Sequence, residues 1–424
     1  MNLVCSQSRL RGEVRIPGSK SHTIRAVAIA SLANGESRIR APLDSEDARA
    51  AVSAYRALGA EIEIATDEWR IQGTGGRLRA PDDVINVGNS GTTLRIALGS
   101  CALLHHGMAV LTGDEQIRRR PAGPLAESLN HLGAAVRSTR DNGMAPFVVQ
   151  GRLRGGQTSI DAVTSQYLSS LLINTPLGDG RSTIHVQRLN EQPYVEMTLD
   201  WLQRQGIKLE REDLREFRVP GGQEYRPVDR AIPADFSSAT FFLGAGALDD
   251  NEIVLLGLDP GDVQGDRAVM DYVRRMGAEV EVTSERIRVR ARELVGGEHD
   301  LNATPDALPT MAVLGCFARG ETRLVNVPQA RIKETDRIAV MARELSRLGA
   351  RVRELEDGLV IEESALRAAE VDGHGDHRVV MALAVAGCVL PGTTVVHHAE
   401  AMAVTYPGFA EAMIALGANL RVEA

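Results

Sequence analysis

The stretch Leu345-Ser346-Arg347-Leu348-Gly349-Ala350-Arg351-Val352-Arg353-Glu354 decides the fold, because it is one copy of a unit that recurs along the whole chain. Leu345 and Leu348 end an amphipathic helical pattern, and Gly349 stands where a helix C-terminus favours a residue that tolerates positive φ. Ala350–Glu354 then alternates apolar and polar, as a half-buried strand does. Comparable copies centre on Gly59, Gly133, Gly206, Gly277 and Gly417, spaced 68 to 74 residues apart. Six repeats therefore fill the 424 residues.

A second landmark has nearly the same period. Polar clusters precede six apolar runs: Lys20-Ser21, Asn89-Ser90-Gly91-Thr92, Thr164-Ser165-Gln166, Asp235-Phe236-Ser237-Ser238, Asp306-Ala307-Leu308 and Gly375-Asp376-His377-Arg378. The runs that follow, such as Leu168–Ile173 and Val379–Val389, are apolar nearly all round, which predicts helices buried inside each repeat. Polar residues are thus concentrated at helix N-termini, where unpaired N–H groups and the helix dipole favour negative charge. An anionic ligand is the first functional expectation.

Composition narrows the class. A chain of this length exceeds one ordinary core and predicts two domains of three repeats each, with a crossing in the Pro-bounded segment Arg226–Pro233. With 43% hydrophobic and 25% charged residues and 41 glycines, it reads as a globular, turn-rich enzyme rather than a disordered protein. The net charge of −8 provides no global field for nucleic acid or acidic membranes, so any anion must be held by local cations. Met1–Arg9 has no apolar signal core and no apolar run reaches the roughly 18 residues of a membrane span, which makes the cytoplasm the expected location. Cys5, Cys101, Cys316 and Cys388 lack metal-ligand spacing and are expected to be buried and reduced.

The clusters differ in what they offer. Lys20 and Arg25 flank a helix start that Ser19 and Ser21 can cap, a cradle for phosphate or carboxylate, although a capped helix with two solvated cations fits the same residues. Gly91 allows close backbone approach, and Arg95 follows one turn later. Arg118, Arg119 and Arg120 precede Pro121, with Arg120 expected to turn inward. Asp44–Asp47 reads as acidic residues suited to a helix start. Asp306 places a carboxylate at the mouth of an apolar helix, where it could cap or move a proton. Arg331–Arg337, with five charges in seven residues, could supply its partner or be an exposed charged helix. A zinc reading of His374, Asp376 and His377 is possible, but their Gly-rich flanks and Arg378 suit an anion better.

Taken in order, these motifs resemble the enolpyruvyl transferase family, in particular the branch that acts on shikimate 3-phosphate. The resemblance rests on Gly18-Ser19-Lys20-Ser21 with Arg25, Gly88–Thr92, Arg120-Pro121, Ser165-Gln166-Tyr167, Asp235 with Ser237-Ser238, Pro305-Asp306, Lys333–Arg337 and Asp376-His377-Arg378, and covers the whole chain. It implies an α/β protein of two domains with an inside-out, barrel-like fold, each domain three βαβαββ repeats around buried parallel helices. Residues 1–17 with 231–424 would form one domain and 18–230 the other. The implied reaction moves the enolpyruvyl group of phosphoenolpyruvate to the 5-hydroxyl of shikimate 3-phosphate and releases phosphate. No metal or organic cofactor is implied, and no partner beyond these small anions: the chain is expected to be a monomer without nucleic-acid or membrane partners.

By the same resemblance Lys20, Asp306 and Glu334 are the catalytic residues. Asp306 would act as base near the 5-hydroxyl, Glu334 would transfer the proton at the methylene carbon, and Lys20 would touch both reactants. Lys20, Gly91, Arg120, Gln166, Arg337 and Arg378 would hold phosphoenolpyruvate, a position that glyphosate takes in this family. Lys20, Ser21, Arg25, Thr164, Ser165, Gln166, Asp306 and Lys333 would hold shikimate 3-phosphate. Three departures stand out: Val404 where many members have Lys, Glu191 where members often have Ser, and Gln329 where some have Asn. The enolpyruvyl transferases that act on UDP-N-acetylglucosamine are the nearest alternative, but they usually carry a Cys in the loop before the Arg-Pro pair, and Gly113–Pro121 has none. An inactive or RNA-phosphate-processing relative is the other alternative, disfavoured by the missing basic surface and by the presence of Lys20, Asp306 and Glu334.

Overall fold

The computed structural model describes all 424 residues. Twelve α-helices follow one another: α1 Lys20–Leu32, α2 Glu46–Ala57, α3 Gly91–Cys101, α4 Gly123–His131, α5 Ser165–Asn174, α6 Gln192–Arg204, α7 Phe236–Gly246, α8 Val269–Arg275, α9 Leu308–Phe317, α10 Arg337–Arg347, α11 His377–Gly387 and α12 Phe409–Ala415. The odd-numbered helices are the apolar runs. Every residue of α3, α7 and α11 is buried, and each fully buried Leu, Ile or Val there contributes roughly 1.5–3 kcal/mol. The even-numbered helices are amphipathic: α10 buries Ile338, Met341 and Leu345 and turns Arg343 and Arg347 outward.

Six four-stranded sheets accompany them, all built alike: a parallel pair at one side, followed by two antiparallel neighbours. In three sheets the strands come from consecutive chain. The other three borrow one strand each. Arg11–Arg15 pairs in parallel with Glu252–Leu256, Asp229–Ala231 pairs in parallel with Glu36–Arg40, and Asn2–Ser6 lies antiparallel to both Thr393–His397 and Asn419–Glu423. The strand before α1 and the strand before α7 have thus exchanged sheets.

This exchange divides the chain into two compact units, Met1–Pro17 with Pro233–Ala424, and Gly18–Ile232. Each unit has its own contiguous apolar core. The six repeat glycines, from Gly59 to Gly417, all take φ between 73° and 115°, so each helix-to-strand turn uses a backbone conformation that side chains disfavour. At Gly277 a Cβ would also come within 2.7 Å of the Glu293 carbonyl oxygen. No helix is long and apolar enough to cross a membrane, and all four cysteines are free and buried.

Candidate active site

Within the Gly18–Ile232 unit, α1, α3 and α5 run parallel. Gln166 bonds to Thr92, Ser170 to the Arg95 carbonyl and Asn174 to Ser100, so depth along α5 matches depth along α3. Arg25 of α1 reaches Ser169 of α5 at a similar depth. The polar first turns of the three helices therefore lie at one end of the unit. Ser19 and Ser90 cap α1 and α3, accepting from the His22 and Thr93 N–H groups.

Two cations sit at that end of α3. A Cβ on Gly91 would lie 2.5 Å from Arg95 Nη1 and 2.6 Å from Arg120 Nη1, so both guanidinium groups close on the one position that carries no side chain. Arg95 Nη1 donates to Gln166 Oε1 at 3.0 Å and its Nη2 to the Pro121 carbonyl at 2.8 Å. Gln166 Nε2 in turn donates to Thr92 Oγ1 at 3.1 Å, which fixes the amide's orientation. Arg120 is buried and donates to the Asn89 carbonyl. Two cations over a helix N-terminus make a strong local attraction for an anion.

Lys20 Nζ lies 3.0 Å from Asp47 Oδ2, with both side chains mostly buried. Asp47 belongs to the acidic start of α2, where the sequence pattern reads as dipole compensation; its partner is instead the lysine of α1. Arg25 is deeply buried and donates to Thr198 Oγ1, Ser169 Oγ and the carbonyls of Ser21 and Tyr194. Burial pulls its pKa down to about 10, with Tyr194 and Glu191 acting the other way. Arg25 thus braces α1 against α5 and α6 from within.

The first turn of α5 is organised differently from those of α1 and α3. Thr164 makes no side-chain cap. Glu191 Oε2 accepts three bonds there: from Ser165 N at 3.0 Å, Ser165 Oγ at 2.7 Å and Thr164 Oγ1 at 3.0 Å. Glu191 is buried and stands at φ 58°, ψ 43°, a left-handed conformation unusual for a glutamate.

The second cluster lies in the other unit and centres on Arg337, whose side chain is 1% exposed. Its Nη1 donates to Asp306 Oδ1 at 2.7 Å, Nη2 to Glu334 Oε2 at 2.6 Å, and Nε to Asp376 Oδ2 at 2.8 Å. Arg378 Nη2 reaches Asp306 Oδ2 at 2.9 Å. Burial alone would lower the Arg337 pKa, but Asp376, Glu334 and Asp306 outweigh it and hold the guanidinium above its ordinary range. Exposure separates the three acids: Asp376 is sealed at 0%, whereas Glu334 keeps 9% and Asp306 17%. Asp376 also caps α11 through the Arg378 N–H and accepts from Thr335 Oγ1.

The remaining expected residues fall around these two clusters. Ser21 is in the first turn of α1, and Lys333 ends the short 3-10 segment Pro328–Ile332. Arg331 holds that segment by donating to Asp336 Oδ2, while Asp336 caps α10. Asp235 caps α7 and also accepts from Ser238 Oγ. His374 pairs with Glu344 and Asp376 with Arg337, and His374, Asp376 and His377 do not gather as a set of metal ligands. Val404 is buried at the end of a 3-10 segment, Ala399–Val404. The pairing of Asp47 with Lys20 and the long-range bonds of Asp376 are site features that sequence reading missed, and Arg95 was noted there without a partner. Arg95 carried a signal, one turn after Gly91, whereas Asp47 and Asp376 looked like ordinary residues at helix starts.

Known proteins resemble this chain along its whole length. Residues 4–413 match the family model for EPSP synthase (3-phosphoshikimate 1-carboxyvinyltransferase). A 3-phosphoshikimate 1-carboxyvinyltransferase of Acetivibrio thermocellus is 56% identical over 99% of both chains, and one of Ruminiclostridium cellulolyticum is 51% identical over 100% of both. The solved EPSP synthase of Acinetobacter baumannii superposes with a TM-score of 0.83 at 26% identity over the whole of both chains. The enolpyruvyl transferase NikO of Streptomyces tendae shares the fold, with a TM-score of 0.76 at 20% identity. The two helix-end clusters are set in a chain that belongs to the EPSP synthase family.

Proposed function

We propose that Asp306 and Glu334 carry the proton transfers of the family's reaction, and that Lys20, Arg120 and the first turns of α1, α3 and α5 receive its anionic substrates. The reaction is transfer of the enolpyruvyl group of phosphoenolpyruvate to the 5-hydroxyl of shikimate 3-phosphate, with release of phosphate, in the shikimate pathway that supplies aromatic amino acids. The observation that carries the residue assignment is the pair of solvent-reachable carboxylates, Asp306 and Glu334, fixed on one sealed guanidinium.

The chemistry has two stages. In the addition, Asp306 takes the hydroxyl proton while the oxygen bonds to C2 of phosphoenolpyruvate, and Glu334 gives a proton to C3, turning methylene into methyl. In the elimination, Glu334 takes a proton back from C3, the C2–O bond to phosphate breaks as Asp306 returns its proton to the leaving phosphate oxygen, and the double bond reforms. Each stage moves one proton on and one off, so two carboxyl groups of opposite duty suffice. Arg337 and Arg378, with Arg120, Gly91 and Gln166, take the carboxylate and phosphate of phosphoenolpyruvate, which arginine's planar fork matches bidentately. Lys20 neutralises charge on both reactants. Ser21, Arg25, Thr164, Ser165 and Lys333 take the acceptor.

The chain acts as a cytoplasmic monomer on small anions, without nucleic-acid or membrane partners; its net charge of −8 supports the last of these, since it provides no global attraction for polyanions. The test is phosphate release from phosphoenolpyruvate by the purified protein, with and without shikimate 3-phosphate. Release that requires shikimate 3-phosphate is expected; release that requires UDP-N-acetylglucosamine instead, or none at all, overturns the reading.

A further inference from the structure

We propose that Glu191 weakens acceptor binding by occupying, with its own carboxylate, the donor cradle at the start of α5 that the acceptor's phosphate must enter. The proposal rests on the assignment of Thr164 and Ser165 to the acceptor made above. Three donors converge on a single oxygen, Glu191 Oε2: one backbone N–H and two hydroxyls, all within 3.0 Å. That is the donor set a helix N-terminus presents to an anion, and here the anion is supplied by the chain itself, from the residue that precedes α6.

Several observations mark this contact as more than a cap. Thr164 occupies the N-cap position with extended backbone and could close α5 itself, yet it donates to Glu191 instead of capping. Glu191 reaches the cradle from a left-handed backbone conformation and is 2% exposed. Arg25, braced beneath the same helices, is the cation whose charge Glu191 feels. A carboxylate and a phosphate dianion cannot share the Ser165 N–H, and at hydrogen-bond distance they repel. The phosphate therefore binds only when the Glu191 side chain rotates out, and that exchange weakens acceptor binding. A residue with a short hydroxyl side chain at this position would leave the cradle open and add a donor.

The experiment compares Glu191→Ser and Glu191→Gln with the natural protein. Displacement predicts that Glu191→Ser lowers KM for shikimate 3-phosphate about tenfold, the scale of one charge-assisted contact, and leaves KM for phosphoenolpyruvate in place. Glu191→Gln keeps the size and loses the charge, so its KM for shikimate 3-phosphate falls between the two. If Glu191 only caps α5, both variants melt at lower temperature and their acceptor KM stays the same or rises, which overturns the proposal. Calorimetric titration with inorganic phosphate provides a readout independent of turnover: tighter binding by Glu191→Ser, or by Glu191→Gln where only that variant folds, supports displacement, and equal or weaker binding by the folded variant overturns it. Absence of phosphate release by the natural protein with shikimate 3-phosphate would overturn the functional reading, while the phosphate titration would still decide whether Glu191 fills the cradle.

Discussion

Arg337 Nη1 holds Asp306 Oδ1 at 2.7 Å, and this single bond ties a sealed cation on α10 to a carboxylate at the mouth of α9. Because the same guanidinium also holds Glu334, the two acids proposed to exchange protons with substrate are set by one rigid group. Removing either acid's ability to carry a proton should therefore cost turnover with little loss of fold. Asp306→Asn and Glu334→Gln are each expected to lower kcat by roughly a hundred- to ten-thousand-fold, the usual yield of a positioned general acid or base. Steady-state kinetics alongside thermal melting checks this. A kcat within a few-fold of the natural protein would remove that residue from the proton path.

Arg337→Lys tests whether geometry or charge matters. Nε, Nη1 and Nη2 serve three different carboxylates, a division that one ammonium group on a flexible stem cannot reproduce. The lysine variant should lose at least about a hundredfold in kcat/KM although the charge is retained, since misplacing reacting groups by about 1 Å has effects of that size. Near-normal kcat/KM would mean that Arg337 acts only as a counter-charge.

Gly91→Ala should disturb the anion site at α3. The added methyl would meet Arg95 Nη1 at 2.5 Å and Arg120 Nη1 at 2.6 Å, so both side-chain ends must shift outward. KM for phosphoenolpyruvate is expected to rise about tenfold, equivalent to ~1.4 kcal/mol, and glyphosate inhibition to weaken with it. Unchanged glyphosate inhibition in the variant would place that ligand elsewhere.

The fold was legible where it depended on local pattern. Gly349 and its five counterparts marked the repeats because a helix that turns directly into a strand needs positive φ, and that demand shows in one residue type. The exchange of Arg11–Arg15 and Asp229–Ala231 between sheets left no such mark, since either strand satisfies the same alternation in either partner sheet. In the site, cations near helix starts were visible as motifs, but their partners were not. Asp47 sits on Lys20 across 27 positions of chain, and Glu191 on Ser165 across 26. Each reads locally as an ordinary acid at the start of a helix. Pairing of this kind depends on which helix ends the fold brings together, and no periodicity encodes it.

Asp376 links the site to stability, with a definite dependence on pH. Burial pushes its carboxyl pKa up, but the charge of Arg337 more than reverses this and holds it below 3.8, the ordinary value. A carboxyl with a depressed folded-state pKa binds fewer protons folded than unfolded. Its contribution is therefore complete above about pH 4, its unfolded range, and is lost as pH falls through the lower folded value. Asp376→Asn removes one partner of a buried pair and should destabilise the protein by about 3 kcal/mol at pH 7. The gap between the two proteins should stay constant from pH 7 to 5 and narrow below pH 4, where the natural residue also takes up a proton. Urea midpoints measured at pH 7, 5 and 3.5 decide the matter: a gap that is the same at all three would show that the depressed pKa of Asp376 does not contribute to folding.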